Sequence, residues 1–515
     1  MQCLRGSPGI MVLLFYIQCL WTEVSAMCPM RCKCDDQSLR VLCDDANLDV
    51  VPITLNPELR ELVLKNNHIK GIMASFSVYH NLEYLDVSHN QLVDLGEHNF
   101  KMQGHLCTLH LSRNMISLIH NNSLAGLQQL KVLYLNENFL EDIPSGAFVH
   151  LPNLQTLDLS QNRIATISED AFHGLGNIRN LLLRDNKLDY IPLIAFQDLS
   201  TLLKLDFGLN AIAKIPKGAF ESLRHLEELS LDGCGLYKIE SGGFQQLQSI
   251  IVLNLQDNEL REIPTQALAD VHRLEELNIG QNKFQELKPH SFQRLKHLRV
   301  VKINGSPHFT SIHKDAFLHN IYIQKLLIAH NRKLNRIDPD TFDGLLNLRY
   351  VSLRGNAFTK FEYDLLPWDK LEVFDVRDNP LFCNCKMLWL RKLLSNQNIT
   401  SEASRSVADV HCASPPVLKN VLLTEVTDED LGCYIEVRRQ QIIIGIIVAA
   451  VTAVGALIFL GICYRKKLNA AFKNKWASGR KEPQYQKTTC LEEENATVLQ
   501  RTVQQSVKMT PTTEL

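Results

Sequence analysis

Hydrophobic and polar positions alternate along this chain in a repeating unit. In the frame LxxLxLxxNxL the first unit supplies Leu59, Leu62, Leu64, Asn67 and Ile69, and the second Leu82, Leu85, Val87, Asn90 and Leu92. The ninth position recurs at Asn67, Asn90, Asn114, Asn138, Asn162, Asn186, Asn210, Cys234, Asn258, Asn282, Ser306, Asn331, Asn356 and Asn379, which makes fourteen units, most of them 24 residues apart. Between these positions a second ladder keeps the same period, from Phe76, Phe100, Leu124 and Phe148 through Phe244, Leu268 and Phe292 to Phe317 and Phe342. Period-two alternation around each LxL core predicts a short strand with two apolar side chains inward and their neighbours outward. One unit cannot bury that apolar edge alone, so the units must stack. Stacking yields a parallel sheet on one side, with the Phe ladder filling the far side of the core and the Asn side chains serving turn backbone groups. The predicted architecture is a curved α/β solenoid of about 14 units with a parallel concave sheet.

The period and consensus are those of the leucine-rich repeat, and the resemblance to that superfamily covers roughly residues 27 to 433. Repeats eleven and twelve depart from it: Ser306 replaces Asn, and SPHFTSIHKDAF and NRKLNRIDPDTF each carry one extra residue. Local irregularity is expected there.

A solenoid exposes core at its ends, and cysteine clusters stand where the ends must be covered. Upstream lie Cys28, Cys32, Cys34 and Cys43; downstream lie Cys383, Cys385, Cys412 and Cys433. Four cysteines permit three connectivities in each cluster. Both clusters resemble the cysteine-rich flanking modules of secreted and cell-surface leucine-rich-repeat proteins. That resemblance implies Cys28 with Cys34, Cys32 with Cys43, Cys383 with Cys412 and Cys385 with Cys433, and makes Trp389 part of a cap core. Cys107 and Cys234 remain inside the array, where both are expected as free thiols.

Residues 1–26 carry an early Arg5, an apolar stretch and the small-residue ending Val24-Ser25-Ala26, the pattern of a secretory signal. An uncharged run, 442–464, is long enough to cross roughly 30 Å of hydrocarbon as a helix. Seven basic and no acidic residues follow between Arg465 and Lys481, suiting a cytoplasmic face and contact with anionic lipid. The expected order is therefore a signal (1–26), an N-terminal cap (27–58), repeats (59–381), a C-terminal cap (382–433), a juxtamembrane linker (434–441), a transmembrane helix (442–464) and a cytoplasmic tail (465–515). This is a type I plasma-membrane arrangement. Gly445, Ala449 and Ala453 fall four apart in the span and offer a homodimer contact, and Cys463 offers a palmitoylation site. Thr513-Glu514-Leu515 resembles a terminus read by PDZ scaffolds, through Thr513 and Leu515.

Charge adds one correction to the first impression. The formal net charge of −2 is the sum of +5 after residue 464, from ten basic and five acidic side chains, and −7 before it. Neither value gives a nucleic-acid footprint. Eighteen His residues invite a search for chemistry, yet no HExxH, GxSxG, Walker loop or EF-hand series is present, so no catalytic residue, metal or cofactor is assigned.

Counting the first leucine of each unit as position 1, positions 3, 5 and 7 face outward and tile the concave surface, the usual binding face of the family. Its first half offers Tyr84, Asp86, His110, Val132, Tyr134, Asp158, Leu182 and Arg184, a mixture enriched at interfaces. Beyond it Asp206, Glu228, Asp232 and Glu276 give way to Lys302, Lys325, Arg354 and Arg377, a polarity that would orient a charged partner. Sequons occur at Asn121, Asn304 and Asn398. A glycan at Asn304, position 7 of repeat eleven, would direct binding toward repeats two to nine.

The resemblance implies a receptor or adhesion protein that binds an extracellular protein ligand or an opposing cell-surface protein, similar to the leucine-rich-repeat transmembrane neuronal proteins. Two further classes fit the layout: a co-receptor in innate immune or growth-factor signalling, similar to Toll-like ectodomains, and an auxiliary subunit of a membrane channel or receptor. An enzyme is the least supported class, because no nucleophile, base and oxyanion donor occur together.

Overall fold

The structure is a computed structural model, and it describes residues 27–73, 75–396 and 409–477. The signal segment, Asn398, and Thr513 and Leu515 of the tail lie outside the described residues. The chain divides into two units, one ending at Ile435 and one beginning at Glu436.

The first unit is the solenoid. Its fourteen repeat strands and two cap strands form one sixteen-stranded sheet. Each repeat strand is three residues long, and neighbouring strands pair in parallel at equivalent positions, as in Leu109 with Leu133 and Leu157. Residues at positions 4 and 6 are fully buried, as Leu133 and Leu135 are, whereas the alternating Val132 and Tyr134 are half-buried. The Phe ladder stacks ring on ring, with centroids 5.8 Å apart for Phe76 and Phe100 and 6.2 Å for Phe148 and Phe172. Each such ring taken out of water contributes roughly 2–3 kcal/mol.

Asparagine at position 9 ties each repeat to the one before it. Asn138 Nδ2 donates to Leu135 O in its own repeat and to Leu111 O in the preceding one, both at 3.0 Å, while its Oδ1 accepts Ile116 N–H at 3.1 Å. The same contacts recur at Asn162 and Asn186. An aspartamide satisfies three buried backbone groups here, which explains why so polar a residue sits 97% buried at Asn138. At repeat eight, Cys234 Sγ reaches only the Phe207 carbonyl in the preceding repeat, at 3.3 Å. At repeat eleven, Ser306 Oγ accepts the Asn282 N–H at 3.4 Å. The residue before the Asn position turns through the left-handed region in repeat after repeat. Leu209, at φ 55°, is the bulkiest apolar side chain held that way.

The extra residues of repeats eleven and twelve leave the sheet undisturbed. Val301, Leu326 and Val351 stay in register, and the insertions are absorbed in turns closed by Phe309 N–H to Ser306 O and Leu334 N–H to Asn331 O. A second, outer ladder of two-residue strands, not foreseen from the periodicity, runs in three pieces. It lapses at repeat six and again at repeat nine, where Pro264 leads into the short helix Thr265–Leu268.

Both ends are closed as caps. The hairpin Lys33–Asp35 and Arg40–Leu42 is antiparallel, and its second strand continues the sheet onto Glu61–Val63. Disulfides join Cys28 to Cys34 and Cys32 to Cys43. At the other end, Cys383 joins Cys412 and Cys385 joins Cys433. Trp389, on the helix Leu388–Asn396, packs against Trp368 at 5.2 Å and Tyr363 at 5.4 Å. Cys107, Cys234 and Cys463 are free, and burial pushes the Cys234 thiol up to about 11.

The helix Cys433–Ala477 is 45 residues long, and Arg438–Phe472 within it is long and apolar enough to cross a membrane. Residues 434–441 are part of this helix. They contain neither Gly nor Pro, so nothing in the backbone stops the helix short of Cys433.

Candidate functional site

Period-two alternation holds the outward side chains of adjacent strands side by side, so residues 24 apart in sequence become neighbours on the concave face. Asp86, His110, Tyr134 and Asp158 fall in one straight row across four adjacent strands. Tyr84 lies diagonal to this row, its ring centroid 5.3 Å from that of His110, and His110 lies 4.5 Å from Tyr134. The result is a continuous aromatic platform with a carboxylate at each end.

Local structure explains half of each carboxylate. Asp86 Oδ1 accepts Ser88 N–H at 2.8 Å and Asp158 Oδ1 accepts Ser160 N–H at 2.9 Å, an Asx turn that closes the end of the strand. Among the described residues neither carboxylate has a cationic partner. Asp86 is nevertheless only 7% exposed. Burial pushes the Tyr84 hydroxyl up, helped by the negative charges of Asp86 and Glu61, and pushes the His110 imidazole down against the opposing pull of Asp86. His110 is thus a neutral ring near pH 7.

The acidic and basic groups farther along are largely matched to one another. Arg184 passes over Gly208 and holds Asp232 two strands away with both terminal nitrogens, at 2.9 and 2.8 Å. A Cβ at Gly208 would stand 2.1 Å from Arg184 Nη1, so glycine is what leaves the path open. Ser230 and Asn254 also donate to Asp232, at 2.7 and 3.1 Å. Burial alone would raise the Asp232 carboxyl, but these partners and the Arg184 charge outweigh it and hold the group below the usual carboxylate range. Asp206 goes the other way: burial raises it, with the Gly208 N–H and the more distant Arg184 charge opposing.

Lys204 pairs with Glu228 at 2.8 Å and Lys302 with Glu276 at 2.5 Å. Arg354 reaches Asp378 at 2.6 Å, Arg377 reaches Asp375 at 2.7 Å, and Lys325 Nζ lies 4.8 Å above the Tyr350 ring. The acidic-to-basic polarity expected along this face is thus dissolved into local pairs. Most of these pairs reach across one or two strands, whereas Arg377 and Asp375 pair within one repeat.

Leu182 continues the position-5 row beyond Asp158 and pairs in register with Asp206. Asn121 is exposed at an outer turn. Asn304 lies half-buried at the end of its strand, its Oδ1 accepting Ala329 N–H at 2.9 Å. A cavity of about 880 Å³ sits on the outer flank where the second ladder lapses, with charged walls that include Lys238, Glu262, Lys283 and Glu286. Among the described residues no group of three His, Cys, Asp or Glu side chains is placed to hold a metal ion.

Fold and face together define a leucine-rich-repeat solenoid with an open outward-facing sheet. The leucine rich repeat family matches residues 80–138, 128–188, 177–236, 224–284, 296–358 and 321–381, more than half of the chain, and the chain belongs to that family. Among curated relatives, human leucine-rich repeat-containing protein 3B is 36% identical over 117 residues, covering 22% of this chain and 45% of its own length. Human oligodendrocyte-myelin glycoprotein is 30% identical over 132 residues, covering 26% of this chain and 28% of its own. The chain thus spans less than half the length of either relative. Among solved structures, a TLR13–ssRNA13 complex superimposes with TM-score 0.62 and 27% identity, over 75% of this chain and 55% of that one. The Drosophila Toll–Spätzle complex superimposes with TM-score 0.51 and 18% identity, over 72% and 61%, a likeness of fold.

Proposed function

We propose that this chain is a type I cell-surface receptor or adhesion protein of the plasma membrane that binds an extracellular protein ligand through its concave face and signals through recruited cytoplasmic partners. The observation that carries this reading is the platform of Tyr84, His110 and Tyr134, three large half-buried rings presented side by side on a rigid sheet. Aromatic side chains on a preformed surface lose little entropy on binding and dominate interface energetics. The long apolar helix Arg438–Phe472 supports membrane anchorage, and the disulfides at both caps suit an extracellular solenoid. A glycan at Asn304 would leave repeats two to nine as the accessible part of this face. No reaction is proposed for it.

A co-receptor role in innate immunity is the second reading, favoured by the likeness to the TLR13 complex over three quarters of the chain. That complex holds single-stranded RNA. Among the described residues, Lys204, Lys302, Arg354 and Arg377 of this face are each paired with a carboxylate, so they form no unpaired basic stripe of the kind that binding of a phosphate backbone requires.

A binding screen of the full-length protein in lipid nanodiscs, against an array of cell-surface ectodomains that includes itself, tests the proposal. A saturable partner whose binding falls at least ~tenfold when Tyr84 and Tyr134 are both replaced by Ala is the expected result. A partner indifferent to those changes would move the site off the concave face. Co-purification with a channel complex, and no ectodomain partner, would support the auxiliary-subunit reading instead.

A further inference from the structure

Charges on the concave face follow a rule with one exception. From repeat six onward Asp232, Glu228, Glu276 and Asp375 each meet a cation of this same chain within 3 Å, and Asp206 meets Arg184 at 3.6 Å. In repeats two to five Asp86 and Asp158 meet none among the described residues, and between them lie His110 and Tyr134. A carboxylate that is 93% buried without a counter-charge costs free energy. Resting beside aromatic faces, it is a site short of one component.

We propose that repeats two to five bind a basic segment of the protein ligand, with arginine or lysine side chains laid over the His110 and Tyr134 rings and paired with Asp86 and Asp158. This rests on the reading of the concave face as the binding face and adds the chemistry of what it takes. A guanidinium stacks on an aromatic face and bonds a carboxylate in the same plane, so each end of the platform offers both halves of its coordination. Asp86 Oδ2 and Asp158 Oδ2 are the oxygens available, because the Oδ1 atoms already serve the Ser88 and Ser160 amides. Burial keeps His110 neutral, so the ring does not repel the incoming cation. Adjacent strands lie about 4.8 Å apart, which puts the two carboxylates roughly 14 Å from each other. An extended chain places residues i and i+4 on one face at about 13 Å, so a segment with basic residues at that spacing satisfies both ends.

The test uses the full-length protein in nanodiscs of neutral phosphatidylcholine and a fluorescent peptide, Arg-Gly-Ser-Gly-Arg, beside its citrulline counterpart. Citrulline keeps the shape and removes the charge. Saturable binding of the arginine peptide, at least ~tenfold tighter than the citrulline one, is expected. D86N/D158N should remove that preference while keeping the Asx turns, since asparagine retains the accepting oxygen. E169Q/E221Q, which changes two exposed carboxylates outside the strand rows, should alter affinity by less than about twofold.

Equal binding of the two peptides by the unaltered protein overturns the proposal and needs no variant. An equal loss in both double variants would mean general charge attraction, and overturns it too. So does saturable binding of a neutral oligosaccharide, cellotetraose, that survives D86N/D158N. Should a screened protein partner depend on Tyr84 and Tyr134 but not on Asp86 or Asp158, the concave-face reading stands and this one falls.

Discussion

Repeats two to five and repeats six to eight share one backbone and differ in what their outward side chains do with one another. In the first stretch the rings touch and the acids stand apart from any cation. In the second, Arg184 is spent on Asp232, and Lys204 on Glu228. The lesson is that outward-facing charge is a poor guide to a binding surface on a solenoid. A charged side chain that has found a partner in its own chain must lose it before it can bind another, whereas an unpaired one is available at once.

Gly208→Val should have the largest effect on this contrast. The new side chain would occupy the path of Arg184, free Asp232, and lower the solenoid's unfolding free energy by about 2–3 kcal/mol, read as a fall in the urea midpoint. An unchanged midpoint would show that the bridge across the glycine contributes nothing.

Next come the paired substitutions. Asp232→Asn should cost about 1–2 kcal/mol, because it removes the charge that Arg184 grips with two hydrogen bonds. Asp158→Asn should change stability by less than about 0.5 kcal/mol, since the Ser160 amide keeps its acceptor. Asp206→Asn should be neutral or slightly stabilising near pH 7, because burial makes the charged form of that carboxyl the unfavourable one. Equal costs at all three positions would erase the distinction between the two stretches.

The smallest effect is in pH. Asp232 sits below its unfolded value, so its contribution is fully present above the ordinary carboxylate range and is lost as pH falls through the lower folded value. Asp206 sits above its unfolded value and acts with the opposite sign, favouring the fold as pH falls through the carboxylate range. Stability measured from pH 7 to 3 in Asp232→Asn should therefore show a shallower acid-side decline than the unaltered protein. An identical slope would remove Asp232 from the acid response.

Much of this fold was legible in the residues, since strand, core and stack all follow from a period the chain repeats fourteen times. Tyr84, His110 and Tyr134 could be named for the same reason: they occupy outward positions of consecutive units, and adjacency follows from register alone. The Arg184 bridge could not be named so directly, because its ends are 48 residues apart. The one available signal was the row Arg184, Gly208, Asp232, where a missing side chain separates opposite charges. The outer ladder of short strands was missed although Ile143, Ile167, Ile215, Ile239, Leu287, Ile312 and Ile337 recur on the same period, because a single apolar residue per unit does not by itself distinguish a strand from a buried turn. Residues 434–441 belong to the helix because no Gly or Pro interrupts it there.

The asparagine ladder has a mechanical consequence. Hydrogen bonds between repeats run along the stacking direction, so a pull between the two caps loads the interfaces in series, and the weakest one sets the force at which the array begins to open. Those interfaces are not identical, for Cys234 and Ser306 stand where the other turns carry an asparagine, each with one weaker side-chain contact to the preceding repeat in place of the amide's pair. Tension should thus find its yield points inside the solenoid, between repeats seven and eight and between ten and eleven, and each 24-residue unit released there would pay out roughly 80 Å of chain.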